Sequence, residues 1–124
     1  MSRILIVEDD AAIRRLAHDL LADEGYEVAT AGTGHEGLAA LVDHQPDLVL
    51  LDLMMPTMDG TTFAREMERT YRAVPIVVLS DSRETFEAAD EMGAAGAILK
   101  PFDIDDFVAT VRRILAGPET PAAG

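Results

Sequence analysis

The residues Leu48-Val49-Leu50-Leu51 run without a polar break into Asp52, and Pro56 interrupts the segment shortly after. An alternating pattern would suit a strand with one wet face. A continuous apolar run needs cover on both faces, the condition of a strand inside a parallel sheet. Sheets of that kind bind ligands beyond the carboxyl ends of their strands, which is where Asp52 stands. An aspartate there either faces a ligand or caps the loop that follows it.

The remaining segments fall into the same rhythm. Ile4 to Val7 is a short β-rich run ending in Glu8-Asp9-Asp10, followed by Ile13, Leu16, Ala17, Leu20 and Leu21 at helical spacing. Gly25 stops that helix, and Tyr26 to Ala31 reads as a second strand. Thr33 and Gly34 open a helix expected to bury Leu38, Leu41 and Val42, and Pro46 separates it from the central strand. Asp59-Gly60 marks a turn into a third helix with Phe63, Met67 and Tyr71 inward. After Pro75, the run Ile76 to Leu79 ends in Ser80-Asp81-Ser82 and leads into a helix anchored only by Phe86, Ala89 and Met92. With so little area to bury at roughly 25 cal/mol per Å², that helix is expected to be the least firmly held. Ala97-Ile98-Leu99 ends in Lys100-Pro101, and a last helix carries Phe107, Val108, Val111, Ile114 and Leu115 on one stripe, with Asp103, Asp105 and Asp106 at its dipole-favoured start. Five strands alternating with five helices specify α/β architecture: parallel βαβ units, right-handed crossovers and a doubly wound sheet.

A chain of 124 residues supports one core, read as a domain over 1–117, with 118–124 a disordered tail or the start of a linker. The absence of cysteine excludes disulfides and thiolate metal sites. The first apolar run is too short for a signal segment or a membrane span, so a cytoplasmic protein with no membrane partner is expected. A net charge of −13 argues against direct nucleic-acid binding and favours a cation or a basic partner surface. His18, His35 and His44 sit on helices or their ends and read as surface or packing residues, and Met54, Met55 and Met58 read as cover for the Asp52 loop. Ala11, Ala12, Arg14 and Arg15 open the first helix beside the strand ends, as a partner-facing patch or a plain solvated face.

Four strands deliver a polar group just past their carboxyl ends: Glu8 and Asp9, Asp52, Ser80, and Lys100. A parallel sheet brings those ends to one edge. Carboxylates a few ångströms apart repel by roughly 1 to 4 kcal/mol per pair at effective dielectrics of 80 to 20, which a hard divalent cation relieves. Mg²⁺ takes oxygen ligands and keeps several waters, so Asp9, Asp52 and one backbone carbonyl suffice, with Glu8 acting through water. Lys100 balances the remaining charge. Asp52 can then act as a nucleophile toward phosphorus, with Lys100 and the Ser80 hydroxyl at the phosphoryl oxygens.

With Val7-Glu8-Asp9-Asp10, Leu51-Asp52-Leu53-Met54-Met55-Pro56 followed by Asp59-Gly60, Ser80, and Lys100-Pro101-Phe102 in place, the chain resembles the receiver domain of a two-component response regulator of the chemotaxis type. The resemblance implies a flavodoxin-like fold with strand order 2-1-3-4-5 and a cis Lys100-Pro101 bond. It implies phosphorylation of Asp52 by a histidine kinase or histidine phosphotransfer protein, with Mg²⁺ held by Asp9, Asp52 and the Met54 carbonyl. Ser80 then moves toward the phosphate and switches the surface of the last two helices and last strand for a downstream effector, the domain acting as a monomer or as a dimer formed on phosphorylation. It implies a signalling domain, not a turnover enzyme, with weak self-phosphorylation and autodephosphorylation. A dehalogenase-type phosphohydrolase would place its nucleophile on the first strand and carry a cap domain. A flavin-binding electron carrier would need a hydroxyl-rich phosphate cradle where this chain has Glu8-Asp9-Asp10.

The chain departs from the family pattern at three places. Ala97 stands where the family has an aromatic, Ala95-Gly96 where the transcription-factor branch often has an acidic pair, and Asp81 where Ala or Gly usually follows the switch hydroxyl. A carboxylate beside Ser80 repels an incoming phosphate oxygen. Asp81→Ala is therefore expected to be phosphorylated faster by a small-molecule donor, or to keep the phosphoryl group for less time, than wild type, and identical rates in the two proteins would dismiss the effect.

Overall fold

The computed structural model describes residues 2–52, 62–63, 65–66, 74–80, 87, 89–90 and 93–116. Its centre is a parallel five-stranded sheet of β1 (Arg3–Val7), β2 (Glu27–Ala31), β3 (Leu48–Asp52), β4 (Ile76–Ser80) and β5 (Gly96–Leu99), in the order β2-β1-β3-β4-β5. This is the flavodoxin-like order that the resemblance implied. β3 sits in the middle, pairing Val7 with Leu51 on one side and Asp52 with Leu79 on the other. Leu48 to Leu51 are wholly buried, which is the physical reason their sequence shows no alternation.

Side-chain alternation sorts each strand between two cores. Leu5, Val7, Val49, Leu51 and Val78 pack with Leu41 and Phe63 on one face. Ile4, Ile6, Leu48, Leu50, Val77, Leu79 and Ile98 pack on the other with Ala17 and Leu21 of α1 (Ala11–Asp23) and with Phe107 and Val111 of the C-terminal helix (Ile104–Leu115). Helix α2 (Gly34–His44) covers the first face. Asp10, Thr33 and Asp103 cap the three helices, each side chain accepting a bond from the amide three residues on. None of the described helices is long and apolar enough to cross a membrane.

Three expectations shift. Val42 is 66% exposed and Leu16 44% exposed, because each lies one residue, about 100° of helical turn, from the buried Leu41 and Ala17. Tyr26 precedes β2, its amide bonding Leu21 O at the end of α1. The expected inward residues Met67 and Tyr71, the anchors Phe86 and Met92, the Asp59-Gly60 turn and the 118–124 tail lie outside the described residues; Phe63 and Ala89 are buried as expected.

Helix α2 lies tightly against the core at Gly37, where an added Cβ would come within 2.7 Å of Phe63 Cε2 and 3.0 Å of Val7 Cγ2. Alanine gains about 1 kcal/mol over glycine inside a helix, but forcing a methyl into a filled core costs about 1 to 3 kcal/mol. Gly37→Ala is expected to lower unfolding stability by about 1 kcal/mol in urea with an unchanged slope, whereas a more stable variant would show that Phe63 yields.

Candidate functional site

The β1 ladder continues one residue past the strand, through a 3.0 Å bond from Glu8 N to Ala31 O. Alternation then turns Glu8 inward, after Ile4 and Ile6, and leaves Asp9 exposed at the sheet edge. Glu8 is wholly buried, and its Oε2 accepts the Asp10 amide at 3.2 Å. Asp10 in turn caps α1 by accepting from Ile13 N at 3.0 Å.

The same alternation applies on the neighbouring strands. Asp52 follows Leu48 and Leu50, and Lys100 follows Ile98, so both continue the face that Glu8 is on. Ser80 follows Ile76 and Val78 and continues the opposite face. Asp52 is 4% exposed and Ser80 2% exposed. Lys100 is fixed by its amide bond to Ser80 O at 2.6 Å, and its peptide to Pro101 is cis, as the resemblance implied. Strands in a sheet are about 4.8 Å apart, so only a long side chain from beyond β5 can reach β3 and β1. Lys100 Nζ does so, lying 2.5 Å from Glu8 Oε1 and 3.7 Å from Asp52 Oδ2.

One carboxylate oxygen each from Glu8, Asp9 and Asp52 lies within 4.8 Å of the others. Burial tends to lower the Lys100 pKa, but the hydrogen bond and charge of Glu8, helped by Asp52 and Asp9, outweigh it and hold the ammonium above its ordinary value. The Asp9 carboxyl is held below the ordinary carboxylate range, first by its hydrogen bond with Asp52, against desolvation, and then by Glu8, its own backbone and Lys100. The donor set is entirely oxygen, which fits a hard divalent cation and not a soft one. Glu8 already has an oxygen on Lys100 and another on Asp10 N, so Asp9 and Asp52 are the carboxylates placed to face such an ion directly.

Glu8, Asp9, Asp52 and Lys100 thus converge, lining an open cleft of about 510 Å³ with Asp10, Ile13, Leu16, Pro101 and Phe102. Ser80 stands at the same strand-end edge on the other side of the sheet. Met54 and its carbonyl, Met55, Met58, Asp81 and Ser82 lie outside the described residues. Ala97 is half-buried on β5 beside a groove of about 370 Å³ that runs along Phe102, Asp106 and Thr110. The apolar wall of the cleft, Ile13, Leu16 and Phe102, was not read from sequence; the helical spacing of Ile13 and Leu16 suggested core positions. Arg14 is half-buried, and its guanidinium donates to Glu8 O.

A family model described as "Response regulator receiver domain" matches residues 4–112. The response regulator ArlR of Staphylococcus aureus is 37% identical over 117 residues, covering 93% of this chain and 53% of ArlR. The chain therefore spans about half the length of that curated relative. Among solved structures, the receiver domain of NtrX from Brucella abortus is 34% identical with a TM-score of 0.86, covering 93% of this chain and 99% of that one. The chemotaxis protein CheY4 of Vibrio cholerae is 34% identical with a TM-score of 0.83, covering 92% and 98%. These likenesses support neither the dehalogenase-type nor the flavin-carrier alternative.

Removing one member of a buried ion pair strands the other, at a cost of about 3 to 5 kcal/mol. Lys100→Met is expected to destabilise the chain by about 3 kcal/mol, and adding Glu8→Gln should recover part of the loss. Because the folded-state pKa of Lys100 is raised, its contribution is complete below the ordinary lysine value of 10.5 and is lost as pH climbs through the folded value. The stability gap between wild type and Lys100→Met should accordingly shrink above that pH; a gap independent of pH would contradict the pairing.

Proposed function

We propose a function from one premise: this chain belongs to the response regulator receiver domain family. On that footing Asp52 is the phosphoacceptor, and residues 1–117 form the receiver unit of a two-component signalling protein, with 118–124 a tail or the start of a linker. The observation that carries the reading is the buried Asp52 carboxylate, flanked by the oxygens of Glu8 and Asp9 and faced by Lys100 Nζ at 3.7 Å.

The donor is a phosphohistidine on a histidine kinase or a histidine phosphotransfer protein. An Asp52 carboxylate oxygen attacks phosphorus, an O–P bond forms as the N–P bond breaks, and the leaving imidazole keeps the electron pair. The Lys100 ammonium, held protonated by Glu8, stands where charge builds on the transferring group. Asp9 and Asp52, together with the Met54 carbonyl, would hold Mg²⁺, and Glu8 would contribute through water. When bound, the ion neutralises the carboxylates and the phosphoryl oxygens.

Ser80 ends β4 on the sheet face opposite to Lys100, and its hydroxyl moves toward the phosphate to bond a phosphoryl oxygen. That bond links the phosphorylated state to the surface of β5 and the flanking helices, where the downstream effector is engaged. With Ala97 at the family's aromatic position, the link does not run through rotation of a ring. Water attack on the acyl phosphate resets the domain slowly, so the chain is a phosphoprotein of the cytoplasmic phosphorelay and not a turnover enzyme. It acts as a monomer or as a dimer formed on phosphorylation.

Incubation with acetyl phosphate and Mg²⁺ should add one phosphoryl group, located by mass spectrometry to the peptide containing Asp52. The gain should vanish in Asp52→Asn and on chelation of the metal. No gain in wild type, or a gain at another residue, overturns the assignment.

A further inference from the structure

We propose that Arg14 is a positioning residue for the acidic turn, fixing the Glu8-Asp9 backbone so that the Asp9 carboxylate is presented to the cation. Arg14 Nη1 donates to Glu8 O at 2.9 Å and approaches Asp9 O at 3.4 Å. Its own amide bonds Asp10 O at 2.9 Å, so the same residue closes the first turn of α1 and reaches back across the loop that precedes it. This inference rests on the metal-binding reading of the cleft.

The chemistry favours the assignment. A cation in the opening turns of a helix opposes the macrodipole and needs compensation, which two carbonyl oxygens on one guanidinium supply. The Glu8 backbone is then held on both sides, the Val7-Glu8 peptide through its N–H to Ala31 O and the Glu8-Asp9 peptide through its C=O to Arg14. Rotation of the Glu8-Asp9 peptide would carry the exposed Asp9 carboxylate away from Asp52, and the Arg14 bond to Glu8 O opposes that rotation.

Gly32 supplies an independent handle. An added Cβ there would meet Arg14 Nη1 at 3.0 Å and Cζ at 3.6 Å, and its backbone lies outside the left-handed region. Gly32→Ala thus obliges the guanidinium to give by a few tenths of an ångström without changing charge. The Gly32 amide faces Glu36 Oε2 at 3.4 Å, which keeps this part of the β2–α2 loop over Arg14. Arg15, next along α1 and exposed, is a charge-matched control.

Mg²⁺ affinity of the full chain, measured by calorimetry, should fall about tenfold in Arg14→Ala, as for other partners that orient metal ligands. It should fall less in Arg14→Lys, whose ammonium can replace one carbonyl contact, fall in Gly32→Ala, and stay unchanged in Arg15→Ala. Amide resonances of Glu8, Asp9 and Asp10 in the metal-free protein should shift in Arg14→Ala and Gly32→Ala but not in Arg15→Ala. A role confined to stability would lower the urea midpoint and leave the affinity of the folded protein alone. Wild-type affinity in Arg14→Ala, or an equal loss in Arg15→Ala, overturns the proposal. Should wild type itself fail to bind Mg²⁺, the metal-binding reading falls, and unshifted resonances in the metal-free variants would separately refute the role of Arg14 in holding the turn.

Discussion

The ammonium of Lys100 between the carboxylates of Glu8 and Asp52 is the contact on which the site depends. A wholly buried glutamate is costly unless its charge is met, and here one oxygen is met by a lysine from beyond β5 and the other by a backbone amide of the same turn. No local segment could build that arrangement. It needs β1, β3, β4 and β5 parallel and in register, so that residues distant in sequence finish at one edge.

The position of the cluster also follows from the winding. In the order β2-β1-β3-β4-β5 the chain leaves β1 toward one edge and later returns to build the other, and a crevice opens beyond the ends of β1 and β3. Asp9 and Asp52 come from those two strands. Alternation then divides the chemistry between faces, with Glu8, Asp52 and Lys100 continuing one apolar layer and Ser80 the other.

Much of this was legible beforehand for definite reasons. Strands buried on both faces lose polar alternation, so Leu48 to Leu51 and Ile76 to Leu79 were plain as unbroken apolar runs, and the polar residues that ended them marked the sheet edge. Helix faces were less legible. Val42 and Leu16 are as apolar as the residues that enter the core, and only the angle of the helix on the sheet leaves them exposed. The acidic pair was visible, but which member is buried depends on the ladder extending one bond past Val7. Arg14 gave one faint signal, a cation at the dipole-disfavoured end of a helix, and its partners are carbonyl oxygens that no side-chain pattern encodes.

The Phe102 ring stacks on Phe107 with centroids 4.6 Å apart and planes 18° from parallel. Phe107 is wholly buried in the C-terminal helix, and Phe102 follows Lys100 by two residues. The two rings therefore form a mechanical coupling between that helix and the loop bearing the ammonium. A torque that rolled the helix on the sheet would carry the ring pair with it and shift the lysine relative to the carboxylates it pairs with. The C-terminal helix and the buried charge of Glu8 are in this sense parts of one lever.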